Sequence, residues 1–153
     1  MMFSLNGWRR YRALPGPRRR FVREALIQLL WARIALACVP FRHLAAWMGA
    51  PGTESPRDLH PEQEQTVEAV SWALRAAALR VPWDCRCLAQ AIAGHRMLRR
   101  HGLRSTVYFG VRKDPDSPFD AHAWLRCGSW LVTGGEGHQK YRVLCRFPHR
   151  DTA

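Results

Sequence analysis

The chain contains a cysteine and a histidine whose local settings suit nucleophilic catalysis. Cys87 lies at the start of a predicted helix, where unpaired backbone N–H groups and the positive end of the helix dipole favour the thiolate. His122 lies on a predicted strand between two alanines and just before Trp124. A thiolate beside a histidine base attacks a carbonyl carbon and forms a thioester. We therefore predict a Cys87–His122 catalytic site.

The group that orients His122 is less clearly marked. If the next hairpin turns at 127–129, His122 faces roughly Thr133, and Glu136 is the nearest acid beyond that point. Asp120 is the nearest acid before His122 and shares its strand face, because side chains two residues apart point the same way. We favour Glu136 as the third catalytic residue. A backbone carbonyl in that role also stays open, since a thiol needs less activation than a serine.

Donors for a tetrahedral oxyanion are also sought near the nucleophile. The backbone N–H of Cys87 is a natural donor at a helix start. Trp83 either donates its indole N–H to the oxyanion or only packs against neighbouring side chains. We assign Trp83 and Trp124 to contacts with the oxyanion or the substrate. Cys85 competes with Cys87 as the nucleophile, since it lies two residues earlier.

Each of these residues also has a structural interpretation. A free cysteine is often only a small buried hydrophobe, and a histidine between alanines can be a core residue. A zinc site drawn from the cysteines and histidines lacks the spacing of a zinc knuckle, so we expect no metal and no cofactor. The glycine-rich run at 134–137 follows a strand with no helix behind it, which favours a turn over a phosphate loop.

The elements that must position the site are predicted helices followed by predicted strands. Apolar residues at helical spacing, with proline and glycine at the boundaries, predict helices at 17–38, 41–48, from 61 to before 82, and from 84–87 to 102. Asp84 is the expected cap of the last helix, and Gly102 its stop. Alternating residues predict strands at 105–112, 119–126, 130–133 and 141–147. This order indicates an α+β fold with a helix packed on an antiparallel sheet.

The first predicted helix is amphipathic. Its apolar stripe is expected to comprise Phe21, Ala25, Leu29, Ile34 and Ala37. The apolar run at 25–39 is too short to span a membrane and is interrupted by charge.

Length and composition indicate one catalytic domain with a helical region before it. With 153 residues, 47% of them apolar, and seven Trp, the chain can bury enough surface to fold. We expect a basic helical N-terminal region at 1–50 and a catalytic domain at 57–150, joined by a turn-rich linker.

The net charge of +12 attracts polyanions or an anionic membrane surface. Charge alone is weak support, so no nucleic-acid partner is expected, and any membrane-surface contact would be weak. Five cysteines at irregular spacing, with no secretory signal ahead of them, indicate reduced thiols and a cytoplasmic location.

Four motifs in order resemble the lasso-peptide leader peptidases, the transglutaminase-like cysteine proteases of lasso-peptide maturation. These motifs are Cys87–Ala91, Leu98–Gly102, Tyr108–Val111 and Ala121–Trp124. The likeness also covers the arginine-rich N-terminal helices and the lead-in to Cys87, so it spans nearly the whole chain.

The resemblance implies a papain-like core in which Cys87 is the nucleophile and His122 the base. It further implies removal of the leader from a precursor peptide, a separate leader-recognition protein and a separate ATP-dependent macrolactam synthetase. Gly134 occupies the place where the family usually has its acid. The rival interpretation is a non-catalytic basic scaffold that binds precursor peptide or nucleic acid. Acyl transfer by the same two residues is a third.

Overall fold

Helices come first and strands second. The structure is a computed structural model that describes residues 11–49, 51–52, 54–114 and 117–148. The helices that lie wholly within these residues are α1 (Gly16–Cys38), α2 (Phe41–Met48), α3 (Pro61–Ala78) and α4 (Cys87–Arg100). The strands are β1 (Thr106–Asp114), β2 (Ser117–Cys127), β3 (Trp130–Thr133) and β4 (Arg142–Pro148), with a short 3-10 turn at His138–Lys140. The predicted α+β class is confirmed.

The four strands form one antiparallel sheet in the order β3-β2-β1-β4. β2 therefore lies inside the sheet, paired with β1 along most of its length and with β3 at Leu125–Cys127. Gly110 of β1 is the pairing partner of His122, and Tyr108 is the partner of Trp124. Because the pairing fixes which residues are level with one another, it fixes the position of His122 relative to β1 and β4.

The helices pack on each other and on the sheet around one core. α1 contacts α3 and α4, and α4 contacts β2. α4 lies close against β2 at Gly94, where an added Cβ would lie 2.6 Å from Leu125 Cδ2. Since α1 contributes residues such as Leu29 to the same buried cluster as α4, the division into 1–50 and 57–150 stays a prediction.

The buried face of α1 differs from the predicted stripe. Ala25 and Leu29 are fully buried as expected, but Ile34 is 54% exposed and Ala37 is exposed. Ile34 lies five residues after Leu29, which is about 1.4 turns of helix, so its side chain points well away from the core face. The core face continues through Ala32 instead. None of the described helices is long and apolar enough to cross a membrane.

α4 starts at Cys87, within the predicted range, but its cap differs from the prediction. The N-cap residue is Arg86, and no side chain caps the first turn. Asp84 pairs with the Arg86 side chain instead, because it lies two residues too early to reach the first-turn amides. The predicted stop is confirmed. His101 is the C-cap residue of the helix, and Gly102, which follows it, has a left-handed backbone with φ +70°.

The hairpin after His122 has a different register from the one expected. Cys127 pairs with Trp130 around a turn at Gly128, but Leu125, not His122, faces Thr133. The ladder shifts between Leu125 and its neighbour, and the turn is shorter than expected. His122 therefore lies level with residues that follow β3.

A buried arginine ties the segment before α3 to the sheet. Arg126 is 6% exposed, and its Nε donates to the Tyr108 hydroxyl at 2.8 Å. Its other nitrogens donate to the Ser55 carbonyl at 2.9 Å, the Glu54 carboxylate at 3.2 Å and the Gly128 carbonyl. Every hydrogen-bonding edge of the guanidinium therefore has a partner, as a buried charge requires.

Replacing this arginine by an apolar residue is expected to destabilise the fold strongly. In Arg126→Met, the buried Ser55 and Gly128 carbonyls and the Tyr108 hydroxyl lose their donor, and Glu54 keeps only its ion pairs with the more exposed Arg57 and Arg146. The free energy of unfolding is expected to fall by about 3 kcal/mol. Urea denaturation measures this. The matched control is Arg142→Met, at an exposed position on β4, with an expected loss of about 0.5 kcal/mol or less. Equal losses in the two variants would contradict the assignment.

Candidate active site

Cys87 is the first residue of α4, and its side chain is partly buried against the core. No side chain caps this helix start, so the amides of the first turn have no partner within the helix. The segment before it is held by Gln90, whose Nε2 donates to the Cys85 carbonyl at 2.7 Å. The thiol therefore lies beside backbone donors that can stabilise an anion.

His122 is oriented by a backbone carbonyl. Its Nε2 lies 2.8 Å from the Gly134 carbonyl oxygen. Because a carbonyl only accepts, Nε2 carries the hydrogen of the neutral ring and Nδ1 is left as the basic nitrogen. This is the backbone-carbonyl arrangement that the sequence left open.

Neither candidate acid is hydrogen-bonded to His122. Glu136 is exposed and forms no hydrogen bond or ion pair with a described residue. Asp120 accepts from Arg112 Nε at 2.7 Å and from the Tyr141 hydroxyl at 2.8 Å. The hydrogen bonds from Tyr141 and Arg112 lower the pKa of Asp120. The catalytic role of Glu136 stays a prediction.

Tyr141 is the common neighbour of the two catalytic candidates. Its ring lies 4.9 Å from the His122 ring, centroid to centroid. The hydrogen bond to Asp120 is the main cause that raises the pKa of Tyr141, and the nearby Cys87 thiol raises it further. No hydrogen bond joins Cys87 to His122 among the described residues, and such contacts often tighten only when substrate binds.

Aromatic packing fixes the other side of the His122 ring. Trp124 is 4% exposed and stacks on Tyr108 at 5.4 Å and on His122 at 5.9 Å. Gly110 leaves room for this cluster, because an added Cβ would lie 2.9 Å from both the Trp124 ring and Tyr141 Cβ. A buried Trp124 packs against the base, and contact with substrate stays a prediction.

Trp83 has an unused donor close to the nucleophile segment. Its indole nitrogen is buried and has no hydrogen-bond partner in the described part of the chain. Burial raises the pKa of the neighbouring Cys85 thiol, and the Trp83 indole only partly opposes that shift. Buried polar groups are rarely left unpaired outside functional sites, so this nitrogen fits an oxyanion donor.

Burial disfavours a catalytic role for Cys85, Cys127 and Cys145. It raises the pKa of Cys85 and Cys145, and that of Cys127 to about 11. Cys127 also donates its S–H to the Arg104 carbonyl at 3.2 Å. These thiols stay protonated at neutral pH, which disfavours Cys85 as the competing nucleophile. Within the described ranges, no group of three His, Cys, Asp or Glu side chains is placed to hold a metal ion.

Sequence reasoning missed the Arg112–Asp120–Tyr141 network. The sequence predicts Tyr141 only as the first residue of a strand and gives no sign of its contact with His122. A glycine inside a strand often marks a close approach, so Gly110 was the available signal that something large lies over this part of the sheet.

Comparison with known proteins identifies a protein family. A family model described as the transglutaminase-like superfamily matches residues 35–146. That range contains Cys87, His122 and the Gly134 carbonyl. The search of curated proteins found no match, and neither did the search of solved structures.

Two glycines test the carbonyl that orients His122. Gly134 and Gly137 have nearly equal φ angles of +67° and +69°, but of the two only Gly134 is crowded, with an added Cβ 2.5 Å from the Ala123 carbonyl oxygen. Gly134→Ala is expected to cost about 3 kcal/mol of unfolding free energy, and Gly137→Ala about 1 kcal/mol. Urea denaturation of both variants measures the difference. If the two variants lose the same stability, the Gly134 carbonyl is not held as described.

Proposed function

Because the chain belongs to the transglutaminase-like superfamily, we propose that it is a cysteine peptidase that removes the leader from a lasso-peptide precursor. Members of this superfamily are usually cysteine proteases or transglutaminases. The substrate class comes from the ordered motifs that resemble the lasso-peptide leader peptidases. Cys87 acts as the nucleophile and His122 as the base.

The observation that carries the proposal is the hydrogen bond between His122 Nε2 and the Gly134 carbonyl. Gly134 lies where the resemblance expects an acid, and its carbonyl supplies the missing acceptor. The imidazole is thereby oriented with Nδ1 as the basic nitrogen. A neutral acceptor suffices for a thiol nucleophile, which ionises far more easily than a serine.

The first half of the reaction forms a thioester. The Cys87 thiolate attacks the scissile carbonyl carbon, and the carbonyl π electrons move to oxygen. The Cys87 backbone N–H and the Trp83 indole N–H donate to this oxyanion. When the C–N bond breaks, the amine leaves with a proton from His122 Nδ1, which had taken it from the thiol.

The second half hydrolyses the thioester. His122 Nδ1 removes a proton from water as the water oxygen attacks the thioester carbon. Collapse of the second tetrahedral intermediate breaks the C–S bond, and the thiolate is restored with release of the leader carboxylate. If an amine attacks in place of water, the same residues perform acyl transfer.

The partners in this proposal are those of the resemblance. A separate leader-recognition protein presents the precursor, and an ATP-dependent macrolactam synthetase acts on the freed core peptide. The proposed reaction is located in the cytoplasm.

The nucleophile is tested by mass spectrometry of the precursor incubated with this protein and the leader-recognition protein. Cys87→Ser is expected to reduce leader release by about 10⁴-fold, since loss of a nucleophile leaves little of the catalysis. Cys85→Ser, the matched control, keeps at least half of the rate. Loss of leader release in Cys85→Ser, but not in Cys87→Ser, would identify Cys85 as the nucleophile. No leader release by the unaltered protein would favour the scaffold interpretation.

The oxyanion donor has its own test. Trp83→Phe keeps an aromatic ring in place but removes the indole N–H, and kcat is expected to fall about 100-fold with KM unchanged. Trp130→Phe is the control, because Trp130 is 39% exposed on β3 and its rate should not change. An unchanged kcat in Trp83→Phe would show that this indole only packs.

A further inference from the structure

A cavity of about 320 Å³ lies at the opposite end of α4 from Cys87. It is lined by Trp47 of α2 and by Arg96, Arg99 and Arg100 of α4. With a rise of 1.5 Å per residue, Arg99 lies about 18 Å along the helix from Cys87. The cavity is therefore separate from the candidate active site, and the proposal made for it does not rest on the proposed function.

The arginines of this cavity are held close together. The Arg96 guanidinium stacks over Trp31 of α1 at 3.7 Å from the ring centroid, and its Nε donates to Gln28 at 2.7 Å. Burial lowers the pKa of Arg96, and the charges of Arg100 and Arg99 lower it further. An anion between these groups would relieve their mutual repulsion.

The cluster has more positive than negative charge. Among the described residues, Glu24 is the acidic side chain that pairs with this cluster. Its carboxylate lies 3.0 Å from Arg100 and 3.1 Å from His101. The Arg99 side chain forms no hydrogen bond or ion pair with another described residue, and its guanidinium lies 5.9 Å from the centroid of the Trp47 ring. Its guanidinium fork is therefore available to a carboxylate.

An exposed apolar stripe borders the cavity. It consists of Ile27, Leu30 and Ile34 of α1, which are 58%, 45% and 54% exposed, and we call it the α1 stripe. Trp31, which lies under Arg96, is four residues after Ile27 and three before Ile34. Residues at these spacings are neighbours on a helix surface, so the stripe and the arginine cluster are continuous.

We propose that the cavity and the α1 stripe form one docking surface for an acidic, apolar peptide segment of a separate protein. A carboxylate of that segment pairs with Arg99 at the cavity, and apolar side chains at helical spacing cover the α1 stripe. Charge complementarity selects the acid. A ligand with phosphate alone would leave the stripe exposed to water, which favours a peptide.

The test uses a fluorescein-labelled amphipathic peptide with leucines at helical spacing and glutamates beside them. Its matched partner has glutamine in place of every glutamate. Anisotropy with the full chain is expected to show at least tenfold tighter binding of the glutamate peptide, since hydrogen bonds to charged groups are the stronger ones.

Two pairs of variants locate the binding. Arg99→Gln is expected to weaken binding about tenfold, whereas Arg75→Gln, an exposed arginine on α3, makes the same change in net charge and little change in affinity. Leu30→Ser weakens binding, while Leu79→Ser, at an 81% exposed leucine, does not. The thermal unfolding of each variant is compared with that of the unaltered chain, to show that the variant is folded. Leu30→Ser changes the same surface but leaves the arginines in place.

Several results would overturn the proposal. Equal binding of the two peptides, or equal effects within either pair of variants, would show only non-specific attraction. Tighter Arg99-dependent binding of a single-stranded oligonucleotide, or of phosphatidylserine vesicles, would assign the surface to nucleic acid or to membrane. A dimer that Leu30→Ser dissociates would assign it to a second copy of this chain.

Discussion

The close packing of α4 on β2 is the constraint from which the rest of the site follows. Gly94 has no side chain, so Leu125 of β2 and Leu74 of α3 both approach the helix backbone where a Cβ would lie 2.6 and 3.0 Å from them. This contact fixes α4 against the sheet, and its first residue, Cys87, lies near enough to Tyr141 to raise the pKa of that tyrosine. The nucleophile and the base come from distant parts of the chain, and this contact is what makes them neighbours of one aromatic ring.

Around His122, neutral and charged partners have separate tasks. The Gly134 carbonyl bonds directly to the imidazole, while the ionised Asp120 is satisfied by Arg112 and Tyr141. A carboxylate bonded to the imidazole would stabilise the imidazolium and hold it charged. A carbonyl orients the ring with a weaker pull on its proton, which suits a base that must release that proton to the leaving amine.

Much of the fold followed from local sequence signals, and much of the site did not. The helix start at Cys87, the stop at Gly102 and the order of helices before strands depend on nearby residues, and these predictions are confirmed. The face of α1 and the pairing of His122 depend on what packs opposite them. Irregularities next to Gly110 and Leu125 shift the pairing register of the strands. No local sequence pattern predicts such a shift. The position of Tyr141 over His122 is the product of those shifts, so it was unavailable to sequence reasoning.

The hydrogen bonds of Arg126 join three stretches of chain that are far apart in sequence. The segment at Glu54 and Ser55, the β1 residue Tyr108 and the β2–β3 turn at Gly128 all accept from one guanidinium. A second buried bond, from the Ser55 amide to Thr106 Oγ1, runs in parallel. Opening any one stretch breaks hydrogen bonds of a buried guanidinium, which is costly, so we expect the three stretches to open together. In hydrogen exchange, the segment at Glu54 and Ser55 therefore belongs to the same cooperative unit as the sheet, although the residues described there form no helix or strand.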